Sequence, residues 1–190
     1  MTEEEAVSAA GKIGYPVAVK INSPDITHKS DVGGVILGIA DEAGVRQAFR
    51  GIADAGKQAR ARDEGVVVSA MAAPGREVIV GVVRDLQFGP AVMFGMGGVL
   101  VEALGDVSVR VVPLSGNDAA EMIDGIRGAR LLKGYRGGKP ADTAALKDLL
   151  LKVSDFAARN PDVAELDLNP VIVYEKGLAI VDARVVPSDG

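Results

Sequence analysis

Residues 164–174 read AELDLNPVIVY, and residues 178–182 read LAIVD. In the first segment, side chains that carry oxygen alternate with leucines, and a period of 2 places the two sets on opposite faces of a strand. The side chains that carry oxygen are Glu165, Asp167 and Asn169. Pro170 lacks the N–H that a central ladder requires, so we expect the strand to kink or leave its neighbour there. The segment predicts an interrupted strand around which the rest of the sheet is arranged.

The residues between the two segments, Glu175–Gly177, predict a tight turn with glycine where a positive φ is allowed. A two-residue turn at Lys176 and Gly177 would place Asp182 opposite Val171, diagonal to Asn169 and on its face. An amide oxygen and a carboxylate would then converge, which suits a Mg²⁺ ion that already carries phosphate ligands. The solvated outer face of an edge hairpin explains the same pattern, and the spacing alone does not decide between the two.

The composition describes a chain that can form a substantial core without disulfide bonds. Of the 190 residues, 48% are hydrophobic and 25% charged, 24 are glycine and none is cysteine. This length is sufficient for one core, or for a core divided between two lobes. The absence of cysteine excludes a disulfide framework, a zinc–cysteine cluster and a thiol nucleophile, and it fits a reducing compartment.

The charge distribution argues against nucleic acid and membrane partners. The net charge is −5 and only 4% of the residues are aromatic, whereas a surface that binds nucleic acid needs a basic stripe and stacking aromatics. No apolar run approaches the roughly 18 residues that suggest a membrane span. The first five residues, MTEEE, are acidic where a signal peptide is basic. We therefore predict a cytoplasmic protein.

Away from the hairpin, strand patterns outnumber helical ones. Thr2 and Glu5 have capping-box spacing and predict a short first helix, which Gly14 ends. Apolar stripes predict longer helices over residues 41–56 and from residue 142 or 143 to residue 159. Runs of β-branched residues predict strands near residues 17–21, 35–39, 66–71, 77–84 and 107–114. Because the strands and helices do not alternate strictly, we predict an α+β fold with a mostly antiparallel sheet.

Two features of the first 70 residues could contact an anion. Lys20 ends a buried strand, where an ammonium group needs an anionic partner unless its side chain reaches solvent. The loop over residues 22–34 carries His28, Lys29 and the pair Gly33 and Gly34, whose backbone N–H groups could approach an anion. The His28 ring titrates near neutrality and could carry a proton or act as a nucleophile. From the residues alone, a surface turn that contains a histidine is the simpler explanation of this loop.

These motifs occur in an order that resembles a known family. They are SPDITHKSDVGGV at residues 23–35, GREV at 75–78, FGP at 88–90, FGMGG at 94–98 and LNP at 168–170. Together they resemble the ATP-grasp domain of ADP-forming acyl-CoA synthetases of the acetate–CoA ligase type, which are relatives of the succinyl-CoA synthetase β subunit. The resemblance covers residues 6–186 and implies two α+β lobes, here residues 1–68 and 69–190.

The resemblance implies a role for each candidate residue in binding ATP or ADP with Mg²⁺. Lys20 would contact the phosphates, Glu77 would accept from the ribose hydroxyls, and Asn169 and Asp182 would bind Mg²⁺. Three further residues would form the hinge whose backbone reads the adenine edge: Ser69, Ala70 and Met71.

The same resemblance implies a path for the phosphoryl group between the nucleotide and a histidine of a partner domain. His28 matches a histidine that carries this group onward in some members of the family. Arg110 would line the path as a further catalytic residue. The glycines that would approach the phosphates are Gly33, Gly34, Gly97 and Gly98. Catalysis of this kind relies on positioning and on neutralising charge.

Three features depart from the family pattern. The sequence lacks the strand–helix segment that precedes the first helix in relatives, so we expect a first lobe without its N-terminal segment. Ala70 stands where relatives commonly have glutamate. The CoA-binding and phosphohistidine domains have no counterpart in these residues, so we expect a partner chain or domain to supply them and to bring the acyl substrate.

Two functions follow from these observations. The first is the nucleotide half of a ligase that interconverts acyl-CoA, ADP and phosphate with acid, CoA and ATP. The alternative is a non-catalytic ATP-grasp module that regulates a protein acetyltransferase, which the shortened lobe and Ala70 would suit. An exposed sheet edge could also favour a homo-oligomer. We favour the ligase function because the lysine, histidine, asparagine and aspartate are all present.

Overall fold

The computed structural model describes residues 1–26, 29–62, 64–98 and 105–188. The chain divides into two compact units, Met1–Met71 and Ala72–Gly190. The chain thus passes from the first unit to the second after Met71, whereas the sequence-based division was placed after residue 68. We call Met1–Met71 unit 1 and Ala72–Gly190 unit 2, and describe each by itself. No helix among the described residues is both long and apolar enough to cross a membrane.

Unit 1 is a three-stranded antiparallel sheet with two helices. The predicted capping box is present, because the Thr2 side chain accepts from the Glu5 N–H and the Glu5 side chain accepts from the Thr2 N–H. The strand order is β2-β1-β3, with β1 in the centre. In chain order the elements are α1 (Glu3–Ile13), β1 (Val17–Ile21), β2 (Val35–Ile39), α2 (Glu42–Gln58) and β3 (Val66–Ala70).

The core of unit 1 forms where the apolar stripe of α2 covers one face of β1. Val17 and Val19 of β1 and Val45 of α2 have no exposed surface, and Ile52 has 1%. Full burial of such a side chain contributes about 1.5–3 kcal/mol. Arg46 of α2 joins the two helices because its guanidinium donates to Glu3 of α1 at 3.1 Å. Because alternate residues of β1 face the helices, Ala18 and Lys20 lie on its other face.

Unit 2 is a six-stranded sheet with helices on one face. The strand order is β6-β5-β4-β7-β8, β9 also pairs with β7, and every pairing is antiparallel. The strands are β4 (Arg76–Asp85), β5 (Gly89–Met96), β6 (Val107–Val111), β7 (Val163–Val173), β8 (Leu178–Ile180) and β9 (Ala183–Pro187). The helices are α3 (Gly116–Gly125), α4 (Ala129–Leu132) and α5 (Thr143–Arg159).

The helices of unit 2 pack against alternate residues of its central strands. Val78, Val80 and Val82 of β4 and Phe94 of β5 are buried together with Leu146 and Leu150 of α5. The intervening positions of β4, among them Glu77 and Ile79, lie on the opposite face, which carries none of these helices and which we call the open face. The α+β fold with antiparallel sheets is therefore confirmed.

Candidate functional site

Strand β7 carries a bulge at Asn169 and Pro170. In its pairing with β4, Leu168 lies opposite Val80 and Val171 lies opposite Val78, so Asn169 and Pro170 together oppose Ile79. The extra residue reverses the alternation of the strand. The buried residues are accordingly Leu166 and Leu168 before the bulge, and Val171 and Val173 after it. The predicted interruption at Pro170 is confirmed, and Asn169, which alternates with the buried Leu168, lies on the open face.

The hairpin that follows brings Asn169 directly opposite Asp182. The Asn169 N–H donates to the Asp182 carbonyl at 3.2 Å, between the pairs Leu168–Ala183 and Val171–Ile180. Residues directly opposite in an antiparallel pair have Cβ atoms about 4.5–5.5 Å apart. Two backbone segments therefore hold an amide side chain and a carboxylate side by side.

The predicted register of this hairpin was wrong by two residues. Asp182 was expected opposite Val171, but Val171 pairs with Ile180. The turn consists of Glu175 and Lys176 rather than of Lys176 and Gly177, and Tyr174 pairs with Gly177 across it. Gly177 follows the turn with φ +77°, a position that favours glycine. Moving the turn by one residue shifts every pair by two, and here the shift brings the two proposed metal ligands closer together.

Asp142 connects this turn to the helix beneath it. One carboxylate oxygen accepts from the N–H of Ala145 at 2.9 Å and so caps α5, and the other accepts from the N–H of Gly177 at 2.8 Å. Its own N–H donates to the Tyr174 carbonyl at 2.7 Å. Sequence reasoning found the cap but missed the link to the turn, because the second oxygen bonds a residue 35 positions away.

We expect Asp142→Asn to destabilise unit 2 in a pH-dependent manner. The N–H groups of Gly177 and Ala145 lower the pKa of Asp142 below its ordinary value of 3.8. The stabilisation is therefore present above pH 3.8 and is lost as the pH falls through the lowered folded-state pKa. Thermal unfolding should show a Tm about 3–6 °C lower for the variant at pH 7.

The two proteins should have the same Tm near pH 2, since protonated aspartate and asparagine are isosteric. Asp148→Asn is the matched control, because Asp148 is exposed on the same helix and its carboxylate makes no hydrogen bond among the described residues. A Tm difference for Asp142→Asn that does not change with pH would contradict the carboxylate's role.

Glu77 lies on the open face, with its backbone held against the second glycine-rich loop. The Gly97 N–H donates to the Glu77 carbonyl at 2.7 Å, and a Cβ on Gly97 would lie 2.8 Å from the Glu77 Cβ. Gly98 has φ +68°. These glycines allow the loop to approach Glu77 closely, while the exposed Glu77 carboxylate lies on the same face of the sheet as the bulge.

Arg110 is not brought together with Glu77. It pairs with Val92, whose side chain is in the core, so Arg110 lies on the face that the helices cover. There it is 3.7 Å from Glu121 of α3. The valines of β6 lie on the open face instead. The alternation of the strand was read correctly, but which set of residues faced the helices depended on the register with β5.

In unit 1, Lys20 is buried, whereas its sequence pattern left open whether the side chain would be buried or reach solvent. It is 8% exposed on the central strand β1, between Val35 of β2 and Val67 of β3. The glycines of the neighbouring loop have a structural explanation. The Gly33 N–H donates to Ser30 and the Gly34 N–H to Lys29, and a Cβ on Gly34 would lie 2.6 Å from Ile21. Both N–H groups are therefore used within the loop.

The predicted hinge lies at the edge of the unit 1 sheet. β3 pairs with β1 on one side, and the Met71 N–H donates to the Pro16 carbonyl. The backbone N–H and C=O groups of successive residues in a strand point to opposite sides. Those of Ser69 and Met71 point toward β1, so those of Ala70 point away from it. The N–H and C=O of Ala70 could therefore form hydrogen bonds with the edge of an adenine base, whatever side chain residue 70 carries. His28 lies outside the described residues.

Comparison with known proteins gives a consistent result. An ATP-grasp domain family matches residues 1–186. The β subunit of acetate–CoA ligase [ADP-forming] I from Pyrococcus furiosus is 48% identical over 97% of this chain and 80% of its own length. The acetate–CoA ligase [ADP-forming] I of Archaeoglobus fulgidus is 50% identical over 96% of this chain, which spans only 27% of that longer protein.

Solved structures agree with these matches. Acetyl-coenzyme A synthetase 1 of Ca. Korarchaeum cryptofilum, in complex with coenzyme A, Ca-AMPCP and HgCl+, has a TM-score of 0.94 and 49% identity, covering 98% of this chain and 82% of that chain. Another structure of it holds coenzyme A and Mg-AMPPCP, with a phosphohistidine segment that points towards the nucleotide binding site (TM-score 0.83, 46% identity, 98% and 83% coverage). The resemblance read from the sequence motifs is confirmed. The chain belongs to the ATP-grasp domain family, of the β-subunit type found in ADP-forming acetate–CoA ligases.

Proposed function

We propose that this chain is the nucleotide-binding part of an ADP-forming acyl-CoA synthetase, which converts acyl-CoA, ADP and phosphate into acid, CoA and ATP. The observation that carries the proposal is the direct pairing of Asn169 with Asp182 at the bulge of β7. The ligase names of the relatives support the chemistry, and nothing observed favours a regulatory module.

The pair fits Mg²⁺ by its donor chemistry. An amide oxygen and a carboxylate are hard ligands, and Mg²⁺ in nucleotide enzymes takes one or two protein ligands together with phosphate oxygens and water. In the described ranges, no group of three or more His, Cys, Asp or Glu side chains could hold a metal by itself. Two protein oxygens that need a nucleotide to complete the shell match this pattern. When bound, the ion would neutralise phosphate charge.

The remaining residues are assigned by their positions in each unit. In unit 2, the exposed Glu77 carboxylate can accept from ribose hydroxyls. In unit 1, Lys20 would hold phosphate oxygens as a point charge, and the Ala70 backbone would read the adenine edge. We keep His28 as the proposed phosphoryl carrier. Arg110 and Gly98 stay proposed neighbours of the phosphoryl path, although Arg110 already has Glu121 as its partner.

The proposal requires further chemistry from elsewhere. A coenzyme A site and a phosphohistidine segment would come from a partner chain or from another region of a longer polypeptide. The Korarchaeum synthetase supports this arrangement, since its structures contain both. The role of the residues described here is to bind and orient the nucleotide.

Reconstitution tests the proposal. The chain would be mixed with a separately expressed chain that carries a coenzyme A site and the phosphohistidine segment. Acetyl-CoA, ADP, phosphate and Mg²⁺ would be added, and ATP would be measured by luciferase. We expect ATP formation that requires both chains and stops with EDTA. A pair that forms a complex and binds Mg·ADP but makes no ATP from any acyl-CoA would refute the catalytic function.

A further inference from the structure

A cavity of about 570 Å³ opens in unit 2 beside the turn that follows β7. Three segments line it, residues 74–76, 139–141 and 174–176. Two of these flank strands, and the third ends the glycine-rich loop before α5. No residue proposed above to bind the nucleotide or the metal lines this cavity.

The lining of the cavity is strongly basic. It contains Arg76, Lys139 and Lys176, with Glu175 as the one acid among its lining residues. Lys139 Nζ is 2.9 Å from Glu175 Oε2, so this pair is neutral. Arg76 and Lys176 remain, and because the Asp142 carboxylate beside the lining attracts Lys176, the net excess of positive charge is centred on Arg76. On a protein whose net charge is −5, such a concentration of cations needs an explanation.

Arg76 is half-buried and, within the described ranges, its guanidinium makes no hydrogen bond or ion pair. Another half-buried arginine of unit 2 has hydrogen-bond partners within the protein. Arg84 on the same strand donates to the carbonyls of Val163, Ala157 and Asn160 at 3.0–3.2 Å. A guanidinium presents five N–H donors, and withdrawing them from water without a partner is unfavourable. The position of Arg76 is consistent with a partner that is not part of the chain.

The glycine-rich loop comes close to this guanidinium. A Cβ on Gly138 would lie 2.9 Å from Arg76 Nη2, which is the mobile end of a long side chain. Gly134 and Gly137 have φ of +88° and +81°, which lets the loop turn back over the cavity. Pro74, Pro140 and Tyr174 add apolar surface to the lining.

We propose that this cavity is a binding site for a phosphate group. Arg76 would form the bidentate contact that a planar guanidinium makes with phosphate oxygens, Lys176 would supply further charge, and Lys139 would offset the charge of Glu175. The phosphate group belongs either to free inorganic phosphate or to a phosphate monoester such as a nucleotide. In the second case Tyr174 and the two prolines would contact the attached ring.

The site is independent of the proposed nucleotide function. Arg76 pairs with Val173 and faces the helix layer, whereas Glu77, the next residue, faces the open side of the sheet. The two sites can therefore be tested separately. Omitting Mg²⁺ removes the metal-dependent contribution of Asn169 and Asp182 while leaving the cavity unchanged.

The test is a titration of the ¹⁵N-labelled chain with inorganic phosphate, without Mg²⁺ and at constant ionic strength. We expect saturable shifts at the amides of Gly138, Lys139 and Lys176. Arg76→Gln should weaken this binding about tenfold or more, since a hydrogen bond to a charged partner is lost. Arg130→Gln is the matched control and should leave it unchanged, because Arg130 lines another basic cavity of about 530 Å³.

Lys139→Gln/Lys176→Gln provides a second variant whose substitutions lie outside the core, should Arg76→Gln fail to fold. It should weaken phosphate binding by a similar factor. Adenosine monophosphate that binds these amides more tightly than phosphate identifies a monoester ligand, and equal affinity identifies free phosphate. Three results would overturn the proposal. The first is that the shifts with phosphate do not saturate, and the second is that the Arg76 variant binds phosphate with unchanged affinity. The third is that adenosine, which has no phosphate group, causes shifts as large as adenosine monophosphate does.

Discussion

Asp182→Ala is expected to lower ATP formation by the reconstituted enzyme on the order of a hundredfold or more. Asp182 provides the one carboxylate of the proposed cation pair, and Asn169 opposite it carries no charge. Without the carboxylate, the phosphate charge is no longer neutralised at this position. The measurement is kcat for ATP formation from acetyl-CoA, ADP and phosphate at saturating Mg²⁺.

Two control variants distinguish the loss of cation binding from a disturbed fold. Asp182 Oδ1 also accepts from the Ala183 N–H at 3.1 Å, a bond that Asp182→Asn can keep while it loses the charge. We expect Asp182→Asn to be nearly as impaired as the alanine variant. Glu165→Ala removes a carboxylate of β7 from the same face of the sheet and should retain activity within about twofold. An Asp182→Ala enzyme with more than a third of the normal kcat would show that Asp182 does not bind the cation.

Gly97→Ala is expected to reduce the free energy of unfolding of unit 2 by about 1–3 kcal/mol. The added Cβ would lie 2.8 Å from the Glu77 Cβ and 2.9 Å from the Glu77 carbonyl carbon. These atoms belong to a central strand, so they cannot move aside as the end of a long side chain can. The Gly97–Glu77 backbone hydrogen bond would weaken as the loop moves away from β4. Urea unfolding measures the effect.

The matched glycine is Gly125, at the end of α3, where a Cβ would meet nothing within 4 Å. Gly125→Ala should be neutral or stabilise by up to about 1 kcal/mol. Gly97→Ala should also weaken nucleotide binding, because Glu77 would shift with its backbone. Equal stability of the two variants would mean that the loop does not need the close approach.

Local sequence signals predicted most of the fold. The Thr2–Glu5 capping box, the alternation in β4 and the break at Pro170 each depend on residues a few positions apart, and all three are present. Strand β9 was missed, since its short segment has no turn or apolar pattern that separates it from β8. It pairs with β7 as a continuation of the hairpin.

The candidate site was harder to predict, because its geometry depends on register and on distant contacts. Sequence reasoning identified Asn169 and Asp182 but misplaced the turn, whose position Asp142 helps to define through Gly177. The side of the sheet that Arg110 occupies depends on how β6 pairs with β5. The glycines at 33 and 34 were read as anion contacts, whereas Gly34 avoids a clash with Ile21. Spacing along the chain does not contain this information.

The most direct test of the account is calorimetric titration of the chain with ADP, with and without Mg²⁺, in the wild type and in Asn169→Ala/Asp182→Ala. We expect Mg²⁺ to strengthen ADP binding to the wild type at least about tenfold. We expect the double variant to bind ADP equally with and without the metal. A double variant that keeps the full Mg²⁺ dependence would contradict the assignment of the hairpin as the cation site.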